Sequence, residues 1–364
     1  MSAPKRSLKY ARHVVGGVRH EVGLLRRSDA STDLIPQPSF ALRLSSSHRG
    51  LSATPIRRPC IRHDPVLQKR GTLSLPLRLF HTSAKRPLSA TIMSGLTANA
   101  VVQKSTQYSV VNDYATGKTS TQDEALDKFC QSVESEAESA DDDDLEELLT
   151  ISWKAIISSA AGTSFTDSGS QKLVDFVLEL GSRPDLEKNG KPRVLHEMTL
   201  WKDLPTFGWQ MRDAWNFVAA SDSDEEAKRQ EWINLNAWTA SLVSSVHKSG
   251  AESPDFTLYC IWSLRSALET AKTESPSDVA VAAAAVWFIF AAPTIHKLSS
   301  QEKSFEGRLA AGGPAFSDRE WKGFSTSRWQ AWVERLRELQ SSVSDNVSKQ
   351  LVQQALDAAG KVSK

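Results

Sequence analysis

Arg212 and Asp213 lie between Trp209 and Trp215, directly after the stretch 203–208, Asp-Leu-Pro-Thr-Phe-Gly. Pro205 fixes a turn there and Gly208 permits a left-handed backbone, so the stretch reads as a shaped lead-in to a helix. An arginine beside an acid in aromatic surroundings supports two readings. One is a pocket, with Asp203 at its mouth, that grips a carboxylate or phosphate. The other is a structural contact, with the guanidinium stacked on an indole and paired with an acid; it is the reading placed first. Arg265 and Glu269 raise the same choice. Four residues apart on one helix, they can pair, though with arginine nearer the N-terminus the order is the weaker one. Arg328, at the head of a later helix, is positioned to close a salt bridge onto the same core. The eight residues Asp203, Trp209, Arg212, Asp213, Trp215, Arg265, Glu269 and Arg328 are therefore the candidates for ligand or partner binding.

No spacing points to catalysis or to a metal. His196, His247 and His296 are far apart and no HExxH pattern occurs, nor does a Gly-x-Ser-x-Gly elbow. Gly117-Lys118-Thr119 resembles the end of a phosphate-binding loop, but the position that needs the first glycine is Asn112. Cys60, Cys130 and Cys260 are odd in number and widely separated, which gives neither a disulfide framework nor a zinc site and fits a reducing compartment. No catalytic residue, cofactor or metal is expected. Asn234 and Asn236, two apart, point about 200° from one another on a helix; a buried amide there would fix helix register rather than catalyse.

The elements that carry these residues are helical. Thr121 looks like an N-cap followed by Asp123 and Glu124, with Ala125, Phe129 and Val133 recurring every four residues. The run Asp141 to Asp144 suits a helix N-terminus, ahead of Leu145, Leu148, Leu149, Trp153 and Ile156. Further helical spacing appears around Leu173 to Leu180, from Met211 through Val218, over 225–247, 256–270 and 278–292, around Trp329 to Leu339, and from Val347 to Leu356. Residues 182–192 read as a loop. The apolar run Val279 to Ala292, fourteen residues ended by Pro293, is short of the ~20 needed to cross a bilayer and reads as a buried helix. With no strong β-alternation, the expectation is an all-α, single multi-helix bundle-like domain. Its bounds are 121–341, preceded by a linker at 93–120 and followed by a C-terminal helix and frayed end at 342–364.

All eleven tryptophans lie after residue 152, which makes the chain after about residue 120 a packed body and leaves the beginning of the chain outside it. Residues 1–92 hold 17 Lys and Arg against 4 Asp and Glu, a net of +13; the rest carries −12. The acidic body argues against a nucleic-acid surface, which needs a clustered basic face. Leu8, Ala11, Val15, Val18, Val22 and Leu25 fall on one side of a helical wheel, with Lys5, Lys9, Arg12, Arg19 and Arg27 on or near the other. A basic, amphipathic, serine-rich start of this kind describes a mitochondrial transit peptide. Prolines at 36, 38, 55, 59, 65 and 76 make the remainder of the tail a disordered segment. Arg78-Leu79-Phe80-His81-Thr82-Ser83 resembles the two-step processing motif of mitochondrial matrix precursors, with cuts after Leu79 and Pro87. The alternative is a cytoplasmic or nuclear protein whose translation starts near Met93.

Three segments in order resemble a family of filamentous-fungal proteins known only as a domain of unknown function. The first is 201–216, Trp-Lys-Asp-Leu-Pro-Thr-Phe-Gly-Trp-Gln-Met-Arg-Asp-Ala-Trp-Asn. The second is 232–238, Trp-Ile-Asn-Leu-Asn-Ala-Trp, followed by 262–269, Trp-Ser-Leu-Arg-Ser-Ala-Leu-Glu. The third is 321–325, Trp-Lys-Gly-Phe-Ser, and then 328–332, Arg-Trp-Gln-Ala-Trp. The resemblance spans about 120–340 and implies no activity or catalytic residue. The functional expectation is a non-enzymatic helical domain acting through contact with an unknown protein partner, since Trp and Arg suit interface hot spots as well as cores. The rival is an enzyme or small-ligand binder with an Arg/Asp/Trp-lined pocket between helices. A third expectation is a mitochondrial matrix accessory factor.

Overall fold

Side-chain caps decide where several helices begin. In the computed structural model, which describes residues 95–118, 121–216 and 221–362, the Glu124 N–H donates to Thr121 Oγ1 at the head of α3 (Gln122–Ala137). The Asp144 N–H donates to Asp141 Oδ1 at the head of α4 (Asp142–Gly162), with three further aspartates in its first turn. Each cap satisfies a backbone donor that the helix leaves open, and the acids offset the positive end of the helix dipole. Before these come α1 (Ala100–Gln103) and α2 (Thr106–Ala115), and after them α5 (Ser168–Ser182), α6 (Phe207–Trp215), α7 (Glu226–Ser249), α8 (Thr257–Leu268), α9 (Asp278–Ser300), α10 (Thr326–Leu339) and α11 (Asn346–Val362). Among the described residues, a 3₁₀ turn spans Pro314–Phe316. Two short antiparallel hairpins link α5 to α6: β1 (Glu187–Lys188) with β2 (Lys191–Pro192), and β3 (Val194–Leu195) with β4 (Met198–Thr199). The chain is all-α, as the periodicity requires; Val218 and the expected tail at 1–92 lie outside the described residues.

α9 is central. It packs against α7 and α11 along its length and touches α8 and α10 as well. Its alanines, Ala282 to Ala285 with Ala291 and Ala292, are buried and let neighbouring helices approach closely. The expected stop at Pro293 does not occur, and the helix continues to Ser300. Pro293 stands on the exposed side, while Thr294, Ile295 and Leu298 remain packed inside and hold the helix past it. The extension makes α9, with mean hydropathy 1.9, the one helix among the described residues long and apolar enough to cross a membrane, yet 72% of that window is buried within the protein. It is the core helix of this domain.

Two expectations at the edges of the body differ from the structure. The linker expected at 93–120 contains α1 and α2. The Tyr108 N–H donates to Ser105 Oγ, and Val111 and Tyr114 are buried, Tyr114 with its ring 5.9 Å from Phe176. So few apolar side chains leave almost no visible period, although tertiary contacts hold the helix. α11, expected as a separate C-terminal helix with a frayed end, lies against α9 with Leu351, Val352, Ala355 and Ala359 buried.

Both asparagines of α7 are buried and serve different neighbours. Asn236 Oδ1 accepts from Ser263 Oγ (2.6 Å) on α8 and from Trp287 Nε1 (2.9 Å) on α9. Asn234 Nδ2 donates to the Ala161 carbonyl (2.9 Å) near the end of α4, and its Oδ1 accepts from the Phe165 N–H. The ~200° between them sends one amide to each half of the bundle and fixes the register of α7 against both.

Candidate functional site

Glu269 is the first residue past α8, and its side chain is completely buried. Its Oε1 accepts from Arg328 Nε (2.7 Å) and Trp332 Nε1 (2.7 Å). Its Oε2 accepts from Arg328 Nη2 (3.1 Å) and the Gly313 N–H (2.6 Å). Arg328, also fully buried, uses its remaining protons on the carbonyls of Ala310 (2.6 Å), Gly323 (2.9 Å) and Ala311 (3.3 Å). Its guanidinium carbon lies 5.2 Å from the rings of both Trp321 and Trp332. All five guanidinium donors and all four carboxylate acceptor positions are thus occupied from within the protein. A pair taken out of water is tolerated only when its remaining hydrogen bonds are made, and here they are. The node joins the end of α8, the loop 309–313 and the head of α10, and it offers no atom to a ligand.

Arg265 belongs to the same neighbourhood but not to the expected pair. α8 ends at Leu268, so Glu269 leaves the helical register and turns to Arg328. Arg265 instead donates through Nη1 to the carbonyls of Leu309 (3.4 Å) and Ala311 (3.2 Å). Burial lowers its pKa from the ordinary arginine value, Glu269 works against that, and Arg328 adds to it. Trp262 Nε1 donates to the Leu309 carbonyl (2.9 Å), so the loop is held from α8 as well as α10.

The other five candidates gather elsewhere, around α6. Asp203 Oδ2 accepts from the Thr199 N–H (2.7 Å) and closes the turn after β4. Trp215 is buried, its ring 4.7 Å from Tyr259 and 5.0 Å from Trp232. Arg212 and Asp213 are not enclosed in aromatic surroundings: both are exposed. Met211, Ala214 and Trp215 take the buried side of α6, which turns the two charged positions to water. They still act on Tyr259, whose hydroxyl donates to the Gly208 carbonyl (3.2 Å); burial raises its pKa to about 12, Arg212 opposes this and Asp213 adds to it.

The left-handed positions of the lead-in are also not where the glycine suggests. Gly208 sits inside α6, while Leu204 (φ 49°) and Thr206 (φ 64°) carry the positive φ. Both are buried, and Trp153 Nε1 donates to the Pro205 carbonyl between them at 2.7 Å. Packing and that bond hold a backbone that neither residue would adopt alone.

Trp209 differs from every other tryptophan of the chain. It is 50% exposed, whereas eight of the others are buried and two, Trp262 and Trp321, are half-buried. His196 lies against it, ring centroids 5.0 Å apart, and His196 Nε2 is 2.8 Å from Glu146 Oε2 on α4. One stripe of α4 meets this region in sequence: Asp142 takes Arg193 Nη1 (2.8 Å), Glu146 takes His196, Thr150 takes Gln210 Nε2 (3.3 Å), and Trp153 reaches Pro205. The four-residue steps place Asp142, Glu146 and Thr150 on one face. His196 and Glu197 form the β3–β4 turn with φ of 51° and 63°. Sequence reasoning missed His196 and Glu146, and no motif marks them. It also missed the β1–β2 hairpin, which Asn189-Gly190 did signal.

A separate depression of about 250 Å³ lies where α7 meets α8. It is lined by His247, Asp255, Thr257 and Lys303 over Val243 and Val246, and contains none of the eight expected residues. Lys303 Nζ and Asp255 Oδ2 are 2.5 Å apart, and Thr257 Oγ1 donates to Asp255 Oδ1 (2.6 Å). Burial would raise the Asp255 pKa, but these bonds hold it below the usual carboxylate range. Burial and Lys303 lower that of His247.

No curated protein and no solved structure matches the chain. A family model described as Protein of unknown function (DUF3632) matches residues 153–336. The match runs from Trp153, which anchors the strained turn, through the Glu269–Arg328 node to Leu336 in α10. It takes in half of the chain and all eight candidate residues, and the chain belongs to the DUF3632 family.

Proposed function

We propose that this is a non-enzymatic helical domain that works by contacting another protein, and that the face around Trp209 makes the contact. The observation behind this reading is the half-exposed indole of Trp209 in a chain whose other tryptophans are wholly or largely inside. An exposed tryptophan on a rigid helix is the residue type most enriched at interface hot spots. Val194, two residues before His196, adds a second exposed apolar side chain, at 41%. The pocket reading has less geometry behind it, because Arg212 and Asp213 face solvent and the Glu269–Arg328 node is closed. The test is a photo-crosslinking amino acid at position 209 in the native cell. A discrete adduct with one protein is expected. No adduct there, with adducts at a control position such as Val347, removes the reading.

The same proposal includes the address and the source. Residues 1–92 direct the chain to the mitochondrial matrix, supported by their +13 charge and the Arg78 to Ser83 motif, and the tryptophan motifs fit a filamentous-fungal origin. A fusion of 1–92 to a fluorescent protein should enter mitochondria; a cytosolic signal would favour translation from Met93.

A further inference from the structure

We propose that the Trp209 face receives a basic segment of the partner, with an arginine side chain lying on the indole and its charge held by Glu146 and Glu197. The inference rests on the interface reading and names the chemistry of the occupant.

The apolar part of the face is the exposed half of Trp209 with Val194 of the β3–β4 hairpin. Its charge is set by what surrounds it. On α6, Arg212 and Asp213 follow Trp209 by three and four residues, so both share its side of the helix and largely cancel. The hairpin contributes exposed Glu197. α4 contributes Glu146, whose side chain remains about 39% exposed although His196 touches its carboxylate. Asp144 and Glu147 line a different depression, against the end of α3, and do not count toward this face. Arg193 Nη1 pairs with Asp142 and also donates to the Val194 carbonyl. The face therefore sets an aromatic surface beside the two carboxylates of Glu146 and Glu197, on a chain that carries −12 outside residues 1–92.

Arginine fits this combination better than other side chains. Its planar guanidinium stacks on an indole while its edge donates to a carboxylate, and it is more weakly hydrated than an ammonium. The node at Arg328 shows the same chemistry inside this protein, with a guanidinium between Trp321 and Trp332 and a glutamate at its edge. At the Trp209 face the indole and Glu197 are exposed, and Glu146 is partly so.

The experiment measures binding of fluorescein-labelled peptides to the full-length protein by anisotropy at low ionic strength. The peptides carry several arginines, the same number of lysines, or glutamates in their place. The arginine peptide should bind, the lysine peptide more weakly and the glutamate peptide not at all. Trp209→Ala should weaken arginine binding by about tenfold, the loss of one cation–π contact, and Trp209→Phe by less. The pair Glu146→Gln and Glu197→Gln should weaken it several-fold, while Glu320→Gln, an exposed acid elsewhere, should not. Equal binding by Trp209→Ala and the parent would reduce the effect to diffuse charge and overturn the proposal, as would no binding of the arginine peptide. If the peptide fails but position 209 still cross-links one protein, the interface stands and the cationic occupant is wrong. If both fail, both readings fall.

Discussion

Two places in this molecule use the same residue types to opposite ends. At the end of α8, Glu269, Arg328, Trp321 and Trp332 assemble around a pair with no exposed surface. Beside α6, Glu146, His196 and Trp209 assemble with the indole half in water. In the first, every polar atom of the pair has an internal partner, so the group is a strut. In the second, half of the indole and part of the Glu146 side chain stay in water, so the group is not closed by internal partners. Residue type does not separate strut from contact; saturation of hydrogen bonds and exposure do.

The largest expected effect tests the strut. Arg328→Met leaves Glu269 buried and uncompensated and should cost about 3–5 kcal/mol in urea unfolding. Replacing Glu269 by Met in the same chain should restore part of that loss, because the charge is then gone. A single variant as stable as the parent would break the comparison. Gly313→Ala tests the same node through the backbone. A methyl there would sit 2.7 Å from Glu269 Cβ and from its carbonyl oxygen, and neither can move freely. The expected cost is about 1–3 kcal/mol, by the same measurement. Trp209→Ala belongs to the other side of the comparison. With half of the indole already in water, the loss should stay below about 1.5 kcal/mol while partner capture is lost. A thermal shift as large as that of Arg328→Met would make Trp209 a core residue instead.

The smallest effect concerns an ion pair between the two extremes. The Asp255 carboxyl, partly exposed, is held below its ordinary range by Lys303 and Thr257 against the opposing effect of burial. A depressed folded value adds stability above the unfolded pKa, about 4, and that stability is lost as pH falls through the folded value. Asp255→Asn should therefore flatten the fall in melting temperature below about pH 4 and change little at pH 7. An unchanged acid limb would show that this pair stands with the exposed ones, worth little.

What could be read beforehand follows physical range. Thr121 and Asp141 act on N–H groups three residues away, so their caps were legible as local pattern. α2 was not, because Val111 and Tyr114 acquire their meaning only against α5 and α3. Pro293 misled because a proline stops a helix only where its neighbours gain nothing by continuing. Arg265 and Glu269 misled because the helix ended one residue before the pairing geometry required. Trp209 was one of eleven equivalent letters, and its spacing from Met211 and Trp215 does not reveal that it alone turns outward.

By itself the sequence determined the helical class, the caps, the burial of the 279–292 run and the separation of a basic first segment from an acidic, tryptophan-rich body. Each rests on interactions within one turn of helix or on composition. Only the tertiary structure decided which arginine met which glutamate, which tryptophan stayed in water, and that His196 and Glu146, fifty residues apart, share a surface. Such pairings depend on how whole helices cross, and no local spacing encodes a crossing.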